Sequence, residues 1–278
     1  MRVSVITPSF RSGHWLRLCI ASVADQGVNV EHIVQDAGSD DGTLDWLKSD
    51  TRVRAFVEKD AGMYDAINRG LRRATGEICA YLNCDEQYLP GALPAVVEFF
   101  ERHPDIEVLF ADFVVVDAAG QYLCHRKVQV PGRYHLWVSH LPTFSCAMFF
   151  RRRLVQDETL LFNPRLRDVG DGDWVLRLLQ RGTRMGVLRQ FTSVFTLSGA
   201  NMMTGENARR EAQAMHATAP GWLRACKPAI ILHHRLRRWL GGLYRQAPFS
   251  FSLYTLEQPV ARVTRQVEQP VGRWRHSG

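Results

Sequence analysis

No stretch of this chain reaches the roughly 18 to 20 uncharged apolar residues that a membrane-spanning helix needs. It opens on a strand-like run without a charged and apolar leader, so a cytoplasmic protein is expected. The six cysteines, Cys19, Cys79, Cys84, Cys124, Cys146 and Cys226, are scattered without Cys-x-x-Cys spacing, which argues against a thiolate metal centre and leaves free thiols in a reducing compartment. Internal repeats and low-complexity tracts are absent, and acidic residues are scarce toward the carboxyl end. Residues 221–278 hold 10 of the 35 Lys and Arg but 2 of the 28 Asp and Glu, so the whole net charge of +7 lies in that tail. The rest is ordinary for a folded protein: 278 residues, 46% hydrophobic and 23% charged, are enough for one large core with an appendage.

The periodicity sets the fold class. Arg2–Ser9 is a short β-rich run ended by Pro8, and Glu31–Asp36 is a second run followed by the polar turn Ala37-Gly38-Ser39-Asp40-Asp41-Gly42-Thr43. Between them Trp15, Leu16, Cys19, Ile20 and Val23 recur at helical spacing. The pattern then repeats as a strand over 52–57, a helix over 63–74, a strand over 77–82 and a helix over 92–102. Such alternation predicts an α/β protein with a mostly parallel, Rossmann-like central sheet flanked by helices. Ligands bind beyond the carboxyl ends of such strands, so Thr7, Asp36, Lys59 and Asp85 are expected along one rim.

The segment Tyr81-Leu82-Asn83-Cys84-Asp85-Glu86 places acids at the end of an apolar strand. Mg²⁺ and Mn²⁺ are hard ions that take oxygen ligands and often bridge one or two carboxylates to substrate phosphates. Asp85 is the expected main ligand, with Glu86 binding directly or through water and Asn83 offering an amide oxygen. The competing reading is a solvated loop or a helix cap. Asp171 and Asp173 stand at a glycine-bearing turn before a helix with Val175, Leu178 and Leu179 on one face. They read as a general base with an orienting partner, or as two capping residues.

The ordered set Val5-Ile6-Thr7-Pro8-Ser9, Val34 to Thr43, Glu58-Lys59-Asp60-Ala61-Gly62-Met63-Tyr64-Asp65-Ala66-Ile67-Asn68-Arg69-Gly70, Ala74-Thr75-Gly76-Glu77 and Tyr81 to Glu86 resembles the family 2 glycosyltransferases. The likeness spans about residues 1–205. It is strongest to the bacterial branch that builds exopolysaccharide, colanic-acid-type and O-antigen chains. The resemblance implies the GT-A fold and inverting, metal-dependent sugar transfer from a nucleoside diphosphate sugar. By matching position, Thr7, Pro8 and Ser9 belong to the nucleotide pocket, Asp36 to the uracil or ribose, and Asp65 to closure of the nucleotide site. Lys59 is either a point charge on the diphosphate or solvated. Asn83-Cys84-Asp85 stands in the Asp-x-Asp place, with Mg²⁺ or Mn²⁺ as cofactor and Cys84 inside the motif as a target for thiol reagents. Asp171 is the expected base and Asp173 its orienting neighbour. Residues 1–110 form the expected donor half, 111–205 the acceptor half, and 206–278 a basic extension.

Two other functions share these features. A nucleotidyltransferase would carry a glycine- and arginine-rich loop after the first strand, yet Thr7-Pro8-Ser9-Phe10-Arg11-Ser12-Gly13 has one glycine and one arginine. A non-catalytic nucleotide-sugar scaffold is the other. In the tail, Trp222, Leu223, Ile230 to Leu232, Leu236, Trp239, Leu240, Leu243 and Tyr244 interleave with Arg224, Lys227, Arg235, Arg237, Arg238 and Arg245. This suits the anionic inner face of a plasma membrane, near a lipid-linked or polysaccharide acceptor, with packing or docking as the rival. No nucleic-acid motif accompanies the charge, so nucleic acid is not an expected partner. Beyond residue 249 a loose extension is expected.

Overall fold

The structure, a computed structural model, describes residues 1–198 and 205–272; positions 273–278 of the expected loose extension lie outside it. The first half alternates as the periodicity dictates. β1 (Val3–Ser9), α1 (Gly13–Ala24), β2 (Val30–Asp36), α2 (Thr43–Leu47), β3 (Arg54–Val57), α3 (Met63–Arg73) and β4 (Ile78–Tyr81) are followed by β5 (Glu86–Tyr88) and α4 (Ala92–Arg102). The second half contains β6 (Val108–Asp117), β7 (Tyr122–Arg126), α5 (Arg133–Val138), β8 (Met148–Arg151), α6 (Arg153–Gln156), α7 (Gly170–Gln180) and β9 (Met185–Leu197). The carboxyl-terminal part adds α8 (Glu206–Ala217), α9 (Gly221–Ala225), α10 (Lys227–Leu240), β10 (Phe249–Leu253) and β11 (Val263–Val267).

One sheet runs β3-β2-β1-β4-β8-β6-β9-β5, with β7 beside β6. β3, β2, β1 and β4 are parallel, so their carboxyl ends share one edge, while β8 is antiparallel to both β4 and β6. Central strands buried on both faces read as apolar runs: Ile78, Cys79, Ala80 and Tyr81 are at most 1% exposed. Gly70 lets α3 lie directly on β1, since a Cβ there would sit 2.5 Å from Ile6 Cγ2. Asn68 on the same helix exchanges two hydrogen bonds with the Phe162 backbone, at 2.8 and 3.0 Å, and ties α3 to the segment that leads into α7.

One expectation for the tail is overturned, and its main helix has an unusual orientation. Residues 249–267 are not loose: β10 and β11 form an antiparallel hairpin whose Phe251, Leu253 and Val267 pack on Val114, Val116 and Val194 of the sheet. Gln87 bridges the backbone of Tyr254 with both ends of its amide, and Arg262 forks onto Asp25 at 2.6 and 2.7 Å. Helix α10 is amphipathic in the reverse sense of a core helix. His234 and Arg238 are 6% and 4% exposed against α5, whereas Leu232, Leu236, Trp239 and Leu240 are 66%, 48%, 64% and 71% exposed. Polar side chains occupy the inner stripe, so the apolar stripe faces out.

Candidate active site

A cleft of about 900 Å³ opens at the carboxyl edge of the parallel strands. Pro8, Ser9, Lys59, Asn83, Cys84, Asp85 and Asp171 all line it, as do Phe10, Arg11, Asp60, Tyr64 and Ser198. The fold therefore brings Asp85, just past β4, and Asp171, in the first turn of α7, to the same cavity.

Both acids are set in water-poor surroundings. Burial raises the Asp171 carboxyl to about 6, partly offset by the Gly172 N–H that donates to Oδ1 at 2.8 Å. The adjoining Asp171 N–H donates to the Tyr64 hydroxyl at 3.2 Å. Tyr64 in turn needs Gly170, because a Cβ there would lie 2.5 Å from its ring. The aspartate is thus fixed by a tyrosine on α3 packed against a glycine on α7. Burial also raises Asp85, whose Oδ2 accepts the Ser198 hydroxyl at 3.0 Å.

The fit of this edge to a divalent cation can be judged from its donors. Asn83 lines the cleft with a buried Oδ1 that accepts no hydrogen bond, beside the Asp85 carboxylate. Among the described residues no cluster of three or more His, Cys, Asp or Glu has metal-binding geometry. One carboxylate and one amide oxygen fit a hard cation shared with a ligand's phosphates, and not a closed protein site.

Several expected contacts fall elsewhere. Glu86 does not reach the cleft: it is fully buried beneath it, accepting the Asn83 N–H at 2.8 Å and the Ser145 hydroxyl at 3.2 Å, and burial beside Asp85 pushes its carboxyl up to about 8. It shapes the turn that presents Asn83 and Asp85, because β5 starts at Glu86 and turns its side chain inward. Thr7 is also fully buried, paired at 2.9 Å with His32 Nε2, since alternation along β1 points it beneath the sheet edge. Asp36 does not line the cavity. Its two oxygens accept the Gly38 and Ser39 N–H groups and the Ser9 and Ser39 hydroxyls, so it orders the loop that does. Asp65 stands outside the cavity, accepting the Ala61 N–H and pairing with Arg69 at 2.9 Å. Asp173 turns away and pairs with Arg177, which also binds the Thr159 and Leu161 carbonyls. Cys84 does line the cleft, but it is buried, donates toward the Pro8 carbonyl at 3.3 Å, and is pushed well above the usual thiol range. That makes it a weak nucleophile.

Sequence reasoning missed Tyr64, Ser198, Phe10 and Arg11 as site residues. Arg11 has a left-handed φ of 50° that is held on both sides, its N–H on the Ser39 hydroxyl and its guanidinium two-pronged on Asp40. Phe10 beside it is 52% exposed, with the Arg11 guanidinium over its ring at 5.0 Å.

A mixed sheet flanked by helices, with a cleft at the carboxyl edge of its parallel half, defines a GT-A-type α/β protein. The chain belongs to glycosyl transferase family 2, whose model matches residues 4–159. It is similar to a putative teichuronic acid biosynthesis glycosyltransferase, TuaG, of Bacillus subtilis, at 36% identity over 103 residues covering 35% of this chain and 41% of that protein. It is also similar to a PGL/p-HBAD biosynthesis glycosyltransferase of Mycobacterium tuberculosis, at 30% identity over 119 residues covering 40% and 46%. The chain therefore spans less than half the length of these curated relatives. Among solved structures, S. aureus TarS 1-349 in complex with UDP-GlcNAc superposes with a TM-score of 0.63 at 20% identity, covering 86% of this chain and 73% of that one. Mannosyltransferase PcManGT from Pyrobaculum calidifontis, in complex with GDP-Man and Mn²⁺, gives 0.55 at 16%, covering 84% and 75%. At these identities the likeness establishes the shared fold.

Proposed function

We propose that the protein is an inverting glycosyltransferase that moves a sugar from a nucleoside diphosphate sugar, UDP-linked, to a hydroxyl of a lipid-linked or polysaccharide acceptor in cell-surface glycan synthesis. One observation carries this: two half-buried aspartates from different parts of the fold, Asp85 and Asp171, face one cavity large enough for a sugar nucleotide. Residues 1–110 supply the donor side, with Phe10 and Pro8 against the base and Lys59 toward the phosphates. Residues 111–205 supply the acceptor side.

Inversion requires an acceptor oxygen that attacks the face opposite the leaving nucleotide and loses its proton as it does so. Asp171 takes that proton. A carboxyl poised at about 6 is mostly ionised at pH 7 yet basic enough to accept it, which is the balance a general base needs. Tyr64 and Gly172 hold the carboxylate in place. Asp85 and Asn83 are the residues that would hold Mg²⁺ or Mn²⁺, which would supply charge to offset that of the departing nucleoside diphosphate.

The outward stripe of α10, flanked by exposed Arg235 and Arg237 and with Trp222 60% exposed nearby, supports peripheral attachment to an anionic membrane at its cytoplasmic face. No helix among the described residues is long and apolar enough to cross a membrane. The test of the catalytic proposal is incubation with a panel of nucleotide sugars and Mn²⁺ or Mg²⁺. Release of nucleoside diphosphate is expected. Pyrophosphate release from a nucleoside triphosphate and a sugar phosphate would assign the chain to the nucleotidyltransferases, and nucleotide binding without turnover would make it a scaffold.

A further inference from the structure

Behind the cleft, the junction of α5 and α10 gathers basic side chains that the transfer chemistry does not use. Helix α5 touches α7 through Leu136, which lies 3.9 Å from the position of a Cβ on Gly172, and its other side meets α10. There the His135 and His234 rings stack at 3.7 Å, and His140 meets His135 edge-on at 4.9 Å. Arg126 at the end of β7, and Arg237 and Arg238 on α10, surround the three rings closely enough to lower their proton affinity; burial is the larger cause.

Three features of this cluster point to a ligand. His135 is 4% exposed, and neither ring nitrogen has a hydrogen-bond partner. Arg238 is also 4% exposed and leaves one terminal guanidinium nitrogen unpartnered while it rests over the Tyr244 ring at 5.1 Å. Among the described residues no ion pair joins Arg126, Arg237 or Arg238 to a carboxylate. Buried polar groups are normally satisfied, and buried cations normally paired. Three arginines around three imidazoles, with unpartnered nitrogens on His135 and Arg238 and no acid paired with the arginines, form the complement of a phosphoryl group.

We propose that the basic cluster between α5 and α10, formed by Arg126, His135, His140, His234, Arg237 and Arg238, binds a phosphoryl or diphosphoryl anion. The site lies beneath the helix whose Leu232, Leu236, Trp239 and Leu240 face outward and one helix away from Asp171. That position suits the phosphate of an acceptor whose lipid tail stays in the bilayer while its sugar reaches the cleft. This assignment of the anion rests on the membrane-facing reading of α10, whereas anion binding itself does not.

Sodium pyrophosphate titrated calorimetrically into the full chain in EDTA tests the site apart from cation-dependent donor binding. Wild type and Asp85→Ala should bind it alike. Arg126→Gln and Arg238→Gln should each weaken it at least tenfold, and Arg126→Lys should restore part of the loss. Arg126 has no side-chain hydrogen bond or ion pair, so its variant keeps the test meaningful if Arg238→Gln does not fold; an unchanged melting temperature and donor hydrolysis in Arg126→Gln confirm an intact enzyme. Absence of pyrophosphate binding in wild type, or equal binding in Arg126→Gln, overturns the proposal. Flotation with neutral vesicles carrying an alkyl diphosphate, compared with phosphatidylglycerol vesicles, then separates the sources. Selective loss of the former in Arg126→Gln assigns the site to the acceptor, equal loss of both assigns it to anionic headgroups, and loss of neither counts against it.

Discussion

Replacing Asp171 with Asn should cripple transfer and stabilise the fold at the same time. The carboxyl is raised from 3.8 to about 6 by burial. A folded-state value above the unfolded one means that ionisation weakens the native state, and the cost grows as pH rises through about 6. Two units at 1.36 kcal/mol each put the cost near 3 kcal/mol above pH 7, and it vanishes below the unfolded value near 4. Asparagine keeps the shape and removes the charge. For a chain of this length, with an unfolding entropy of about 2.1 cal/mol/K per residue, the gain corresponds to about 5 °C in melting temperature. Calorimetry or circular dichroism at pH 8 and pH 4 measures it: the variant should melt higher at pH 8 and match the wild type at pH 4. Turnover should fall by about 10² to 10⁴ with nucleotide binding retained. A destabilised or neutral variant at pH 8, or an equal gain at both pH values, would refute the claim that Asp171 is an ionised carboxylate in a water-poor site.

Wild-type turnover should decline as pH falls through about 6, the Asp171 value, and a profile flat to pH 4.5 would disagree. Gly170→Ala should press on the Tyr64 ring, costing about 1–3 kcal/mol in denaturant titrations and lowering turnover more than nucleotide affinity. Asn68→Ala should cost about 2–3 kcal/mol, because the Phe162 N–H and carbonyl lose their partner in a buried place. A maleimide should label the exposed Cys226 long before the buried Cys84, so rapid inhibition traced to Cys84 would contradict its placement. Leu236→Ala with Trp239→Ala should abolish sedimentation with anionic vesicles and leave hydrolysis of a soluble donor intact.

The parallel half of the fold was legible because its two periods are distinct. The helix expected over 92–102 lies at Ala92–Arg102, and the strand expected over 77–82 lies at Ile78–Tyr81. Asp85 and Asp171 could be placed because the first follows a clear apolar strand and the second opens a clear amphipathic helix. Glu86 could not, since a strand that restarts immediately after a turn reverses which way a side chain points, and nothing local marks that restart. Thr7 and Asp36 were assigned by motif position, which does not say that hydroxyl and histidine partners buried nearby would claim their side chains. The carboxyl-terminal hairpin did leave a signal: Phe249, Phe251 and Leu253 alternate with Ser250 and Ser252, a half-buried strand pattern too short to stand out. The reversed α10 was hidden because amphipathicity tells that a helix has two faces, while only its neighbours, here His135 on α5, decide which one turns inward.

The central claim is that Asp85 and Asp171 serve different steps in one cavity, and paired measurements on two variants address it most directly. With Mn²⁺ present, Asp85→Ala should lose cation-dependent nucleoside diphosphate binding, whereas Asp171→Asn should bind it as wild type does and release little product from the sugar nucleotide. Normal cation-dependent binding by Asp85→Ala, or wild-type turnover by Asp171→Asn, would contradict that division of labour.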